Sequence, residues 1–320
     1  MLLQSGSLRC SPPLRGQFPA GGALVRARIK EPEATRRRNA LRRVDRVLSK
    51  GNYKIALSLV RRLQGKPGGL RGFGAAKQVP RRISSLDELK TIGVDITSLQ
   101  SLLDSMLNSI ERSIEFQLSN ENSILDLENL IKGSYESVCE DHVMCVQHEA
   151  GHFLVGYLLG VLPKWYKVSN VEAARKGNYP AGKVEFLGFE FLREVDGANI
   201  LRRNFSSGKL CNRTNKGKIS TNALNRFLCV LLGGLAAEHL SFGYSEGLHS
   251  DVEKLNRVLK WLGFTESEAD CRVKWAAVNT LSILVRHEEA RCKLAEAMAL
   301  GRSVGTCIDI IEDTLNDNEI

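Results

Sequence analysis

Apolar residues recur at helical spacing along most of this chain, and the breaks between the recurring stretches mark its predicted elements. Leu41, Val44 and Leu48 lie three and four residues apart, Gly51-Asn52 interrupts them, and Ile55, Leu59, Val60 and Leu63 resume the spacing. A helical hairpin beginning near Ala34 is predicted, followed by the glycine-rich Gly65–Gly74, read as a linker that completes a unit of residues 34–80. Its Gly-Lys is not followed by Ser or Thr, so a phosphate-binding loop is not expected. Ser85-Leu86-Asp87-Glu88 has the spacing of a capping box and should open a short helix. Beyond Thr97 a stripe of Leu99, Leu102, Leu103, Met106, Leu107 and Ile110 predicts a long helix, with residues 81–140 as a helical extension. Its polar face carries Ser, Asn, Gln, Asp and Glu rather than cations, so it should pack on the core or on a partner protein, not on a membrane.

Downstream the texture changes twice. A strongly apolar helix carries Phe153, Leu154, Val155, Tyr157, Leu158 and Leu159 and stops before Pro163. Lys183–Phe191 then places Val184, Phe186, Leu187, Phe189 and Phe191 among glycines, which predicts one or two strands. Asn204–Gly217 reads as a polar loop, and from Ser220 to about Asp313 the pattern is helical again. The expected fold class is mainly α with a small β edge. Neither apolar run, Phe153–Leu162 nor Phe227–Ala237, reaches the ~18–20 residues of a membrane span, so no transmembrane segment is expected.

Charge divides the chain. Residues 1–80 hold 18 Lys and Arg against Glu31, Glu33 and Asp45, a net of +15, whereas the remainder is −6 within a total of +9. A nucleic-acid-binding patch is therefore not a property of the folded body. Residues 1–30 contain no acid, several serines and five basic residues, the composition of an organellar transit peptide over residues 1–33. Arg42, Arg43, Arg46, Arg61 and Arg62 stay off the apolar stripes of the hairpin and give it a basic outer face. Such a face either docks on an acidic partner or on membrane headgroups, or is simply solvated. The eight cysteines include no Cys-x-x-Cys pair, and Cys145, Cys229 and Cys292 sit in helical patterns as reduced thiols.

The chemistry is concentrated at Gln147-His148-Glu149-Ala150-Gly151-His152. Histidines at i and i+4 lie one above the other on a helix, so both imidazoles can reach one metal ion. A glutamate beside the first histidine can hold and deprotonate a metal-bound water, the zinc-peptidase arrangement. A catalytic zinc needs a third protein ligand. Glu238, His239, His249 and Asp251 are the downstream candidates.

These residues also carry a resemblance. His148–His152, Gly233-Gly234-Leu235-Ala236-Ala237-Glu238-His239 and Ser250-Asp251-Val252-Glu253-Lys254-Leu255, in this order, resemble the peptidase domain of FtsH-type zinc metalloproteases over roughly residues 141–313. The resemblance implies zinc as cofactor, His148, His152 and Asp251 as ligands, Glu149 as general base, and Glu238 or His239 as a supporting residue or alternative ligand. Leu235 and His239 depart from the family's arginine and second glutamate, and the span from His152 to Asp251 implies an insertion near Phe191–Gly217. Neither an AAA ATPase module nor ATP binding is expected. In this the chain is similar to small plant FtsH-like proteins, which implies the chloroplast (stroma, or peripheral to the thylakoid), with the mitochondrion as alternative. Two readings follow: a zinc endopeptidase cutting unfolded or damaged proteins, alone, as a homo-oligomer or beside a full FtsH complex; or a zinc-stabilised accessory subunit that does not cut.

Overall fold

The structure is a computed structural model that describes residues 31–76, 96–120, 135–168, 182–204, 218–245 and 249–315. Ten helices and one two-stranded sheet are found among these residues, which makes the fold mainly α. Residues 1–30 of the expected transit peptide, the capping box at Ser85–Glu88 and the polar loop from residue 205 to 217 lie outside the described residues, whereas Glu31–Glu33 open the first helix.

Two helices form the centre. Helix α4 (Tyr135–Leu158) carries the two histidines, and α6 (Thr221–Phe242) packs along it. Ser220 caps α6 by accepting from the Ala223 amide at 3.2 Å, and Gly243 ends it with φ 81°. Every residue from Phe227 to His239 is buried, so α6 has no solvent face in this stretch. By length and composition α6 as a whole, longer than its run Phe227–Ala237, is apolar enough to cross a membrane. Instead 78% of its most apolar window is buried inside the protein, with α4 on one side and α8 (Glu266–Arg286) on another. Each fully buried Leu there contributes about 1.5–3 kcal/mol of transfer free energy.

Contact between α4 and α6 depends on glycine. A Cβ placed on Gly151 would lie 2.2 Å from the Gly233 carbonyl oxygen, and one on Gly234 would lie 2.5 Å from the His148 ring. The glycines of both motifs thus set how closely the histidine-bearing helix meets its neighbour.

The other elements enclose this pair. Helix α3 (Ile96–Asn120) lays Leu99, Leu103, Met106 and Ile110 on α6, α8 and α7 (His249–Leu262), so its stripe belongs to the core. Helix α9 (Glu288–Ala299) packs on α4, and α10 (Val304–Thr314) packs on α9. The hairpin, α1 (Glu31–Leu48) and α2 (Tyr53–Leu63), lies on α10, where buried Arg37 reaches Asp309 at 2.6 Å and Asp313 at 2.5 Å.

The glycine-rich stretch is not a linker. Leu70 and Phe73 are buried, the Gly74 amide donates to the Tyr157 carbonyl, and the Arg71 and Gly72 amides both donate to Glu312 at 2.7 Å. Glycine composition suggested flexibility, but here it lets a tight turn bring main-chain donors to a buried carboxylate. A Cβ on Gly72 would meet Leu315 at 2.3 Å.

The sheet pairs β1 (Pro163–Lys167) with β2 (Lys183–Phe186) antiparallel, Tyr166 opposite Val184. Only the first half of the expected Lys183–Phe191 strand is a strand, because the chain turns at Gly188 with φ 105°. Strand β1 and helix α5 (Leu192–Asn204) were not expected.

Candidate metal centre

Two helices deliver the three expected ligands to one point. His148 and His152 stand on consecutive turns of α4, and Asp251 lies in the first turn of α7. Their ligand atoms form a nearly equilateral triangle: the two Nε2 atoms are 2.9 Å apart, and Asp251 Oδ2 is 3.1 Å from His148 Nε2 and 3.0 Å from His152 Nε2. All three side chains are buried, at 6–7% exposure. Together they form the group among the described residues that can hold a metal ion.

The outer atoms decide the protonation of the inner ones. His152 Nδ1 lies 2.7 Å from the Val230 carbonyl, which only accepts, so Nδ1 donates and Nε2 keeps its lone pair. His148 Nδ1 lies 2.8 Å from Glu238 Oε1, so it also donates outward and turns Nε2 inward. Burial opposes a charge on His148, yet Asp251, Glu238 and Glu149 raise its pKa well above the ordinary value, so the triangle favours a positive charge at its centre, a proton or a metal cation in its place. Atoms at this separation can each sit about 2.0–2.1 Å from one divalent ion, the imidazole-to-metal bond length. The donor set therefore fits a metal.

Neighbouring side chains hold the ligands in place. Glu238, 1% exposed, bridges His148 and the Ser245 hydroxyl. Lys254 Nζ donates to Asp251 Oδ1 at 2.9 Å, which leaves Oδ2 for the triangle. Burial pushes the Asp251 carboxyl upward, yet the neighbouring His152, the contacts with both imidazoles and the charge of Lys254 outweigh it and hold the carboxyl well below the usual range. Behind α4, buried Arg291 donates to Gln147 Oε1 at 2.5 Å and to Ser241 Oγ at 2.7 Å.

Glu149 projects into a cavity of about 700 Å³ that also takes in the triangle, Lys254, β2 and α5. It is 4% exposed, and its Oε2 is buried without a hydrogen-bond partner. Burial raises its pKa against the pull of His152 and His148, so this carboxylate is a stronger base than an ordinary one.

His239 does not join the centre. Successive residues on a helix point about 100° apart, so with Glu238 facing His148, His239 faces α3, its Nδ1 3.5 Å from Ser105 Oγ. It is not in the ligand group, and burial lowers its pKa. The side chain of His249 lies outside the described residues.

Of the cavity walls, sequence reading expected the strand within Lys183–Phe191 and missed helix α5. Four consecutive residues of β2, Lys183 to Phe186, line it, so the strand edge not paired with β1 borders the site. Leu192, Arg193, Val195 and Asp196 of α5 line it as well, within the stretch read as an insertion. Phe189 meets Phe227 edge to face at 5.3 Å and closes an apolar end. The clustered phenylalanines of 186–191 were the one signal of this wall. No family model matches the chain, and no curated protein or solved structure does either.

Proposed function

We propose that this chain is a zinc-dependent endopeptidase of FtsH-like type that cuts unfolded protein chains. The observation that carries the reading is Glu149. A centre that only fastens helices together has no use for a carboxylate buried beside the ligands with an unpartnered oxygen and a raised pKa. Two imidazoles and one carboxylate leave a fourth position open, as catalytic rather than structural zinc requires. When bound, zinc would supply a polarised water and a Lewis acid for the scissile carbonyl.

The chain's own residues would do the rest. Glu149 accepts the proton of the attacking water and returns it to the amine that leaves as the C–N bond breaks. Glu238 fixes the orientation of His148 from behind. The edge of β2 that pairs with no strand among the described residues offers main-chain donors and acceptors to an extended substrate. A cavity of about 700 Å³ takes a few side chains of such a segment and no folded domain, so the substrates are chains already unfolded. The apolar end at Phe186, Phe189 and Phe227 favours a large apolar side chain beside the cut.

The test is Glu149→Gln, which keeps shape and ligands. Zinc content should stay at one per chain while cleavage of unfolded casein falls by about 10²–10⁴-fold. Equal cleavage by wild type and variant, or none by zinc-loaded wild type, overturns the reading in favour of a non-cutting accessory subunit.

A further inference from the structure

Between Thr35 and Ala76 the chain carries twelve Lys and Arg and one acid, Asp45. Asp45 faces inward. Its Oδ1 accepts from the Gly305 amide and its Oδ2 from the Ser303 hydroxyl, both at 2.7 Å, at the start of α10. Arg37 is also turned inward, between Asp309 and Asp313. What remains outside is a face of cations. Arg36, Arg42, Arg43 and Arg46 are exposed along α1, Lys50 and Lys54 at the turn, and Arg61 and Arg62 along α2. None of these eight makes an ion pair with a described acid. Helices α1 and α2 pack against each other, so these exposed cations are carried by one small unit of the protein.

We propose that this hairpin face docks the protein on an anionic lipid surface, independently of any peptidase activity. Each basic residue brought close to such a surface tightens partition by about fivefold, so a handful suffices without a lipid anchor. The shape and chemistry select lipid over the other polyanions. A protein partner wants a buried aromatic or aliphatic anchor, but Ile55, 55% exposed, is the one large apolar side chain the hairpin presents. Beside Lys54 at the turn, Ile55 suits shallow contact at the headgroup boundary. Single-stranded nucleic acid wants exposed aromatics to stack on, and the hairpin presents none. Two helices side by side are about 20 Å across, too broad for the ~12 Å major groove of a duplex.

The experiment is co-sedimentation of the full chain with vesicles of phosphatidylcholine, with and without phosphatidylglycerol. Binding is expected only to the anionic vesicles, and it should be lost at about tenfold higher salt. Reversing Arg42, Arg43, Arg46, Arg61 and Arg62 to Glu should weaken binding by more than about 100-fold. Reversing five exposed cations elsewhere (Lys260, Lys274, Arg286, Lys293 and Arg302) changes net charge equally and should leave binding within about threefold. A milder set, Arg42→Gln, Arg43→Gln and Arg46→Gln, gives the same direction should the reversals fail to fold. Equal binding to neutral vesicles, equal loss from both reversed sets, or stripping of the protein from vesicles by an equal charge of nucleic acid would overturn the proposal.

Discussion

Tyr157 donates its hydroxyl to Glu312 Oε1 at 2.6 Å, joining the last turn of the histidine-bearing α4 to α10 across 155 residues. Two main-chain amides of the glycine-rich turn share that carboxylate, which has no exposure at all. Three donors converge on Glu312, so its removal takes the acceptor from all of them. Glu312→Ala should destabilise the protein by about 3 kcal/mol or more, and Tyr157→Phe, which removes one donor, by about 1–3 kcal/mol. Urea denaturation of both variants measures this. Equal losses would mean that the amides find other acceptors.

Glu238 touches no metal site directly but holds His148 through Nδ1. Glu238→Gln keeps the shape and replaces a charged acceptor by a neutral one. Metal affinity should fall by about 10–100-fold, read by competition with a chelator, while the melting curve of the metal-saturated protein changes little.

Gly151→Ala opposes two effects. Alanine gains about 1 kcal/mol in intrinsic helix propensity over glycine. Against this, its Cβ would lie 2.2 Å from the Gly233 carbonyl oxygen and 2.6 Å from the Ala237 Cβ, inside a helix that cannot bend aside. Overpacking should win by about 1–3 kcal/mol. A variant as stable as wild type would show that α4 and α6 are free to separate.

His287 sets an acid limit. Burial, with the charge of Arg286 adding to it, lowers its pKa to about 4. In the unfolded chain an imidazole titrates near 6.5. Its contribution to stability is therefore intact above pH ~6.5 and is lost as pH falls toward ~4, because the unfolded chain takes up the proton first. The full loss is about 3 kcal/mol. His287→Gln should flatten the decline of the melting temperature with pH in that window, and an unchanged slope would assign the decline to other groups.

The candidate centre was legible in the sequence because its parts are local. The i,i+4 histidines and Glu149 fix their mutual geometry by helix periodicity alone, and Asp251 stands at the opening of a helix whose start the loop before it signals. Between Glu238 and His239, periodicity shows that one can face the metal helix but not which. What stayed illegible was long-range. Four positions before Leu41, Arg37 falls on the apolar stripe of its helix, but nothing nearby names the acids that receive it, because Asp309 and Asp313 lie 272 and 276 positions away. Leu70 and Phe73 among the glycines were the available hint that the stretch was anchored. Helix α5 was masked by weak patterning: of its residues Val195 is buried, and its neighbours at the rim of the cavity are charged.

The triangle of His148, His152 and Asp251 has a consequence for the economy of the cell as well as for chemistry. The three ligand atoms converge only in the folded chain, so a metal held by them would bind that state alone. Folding and metal supply are then linked by mass action: above the dissociation constant, each tenfold rise in free metal favours the folded chain by about 1.4 kcal/mol. Metal starvation would thus lower the abundance of this protein through its turnover, before any question of catalysis arises.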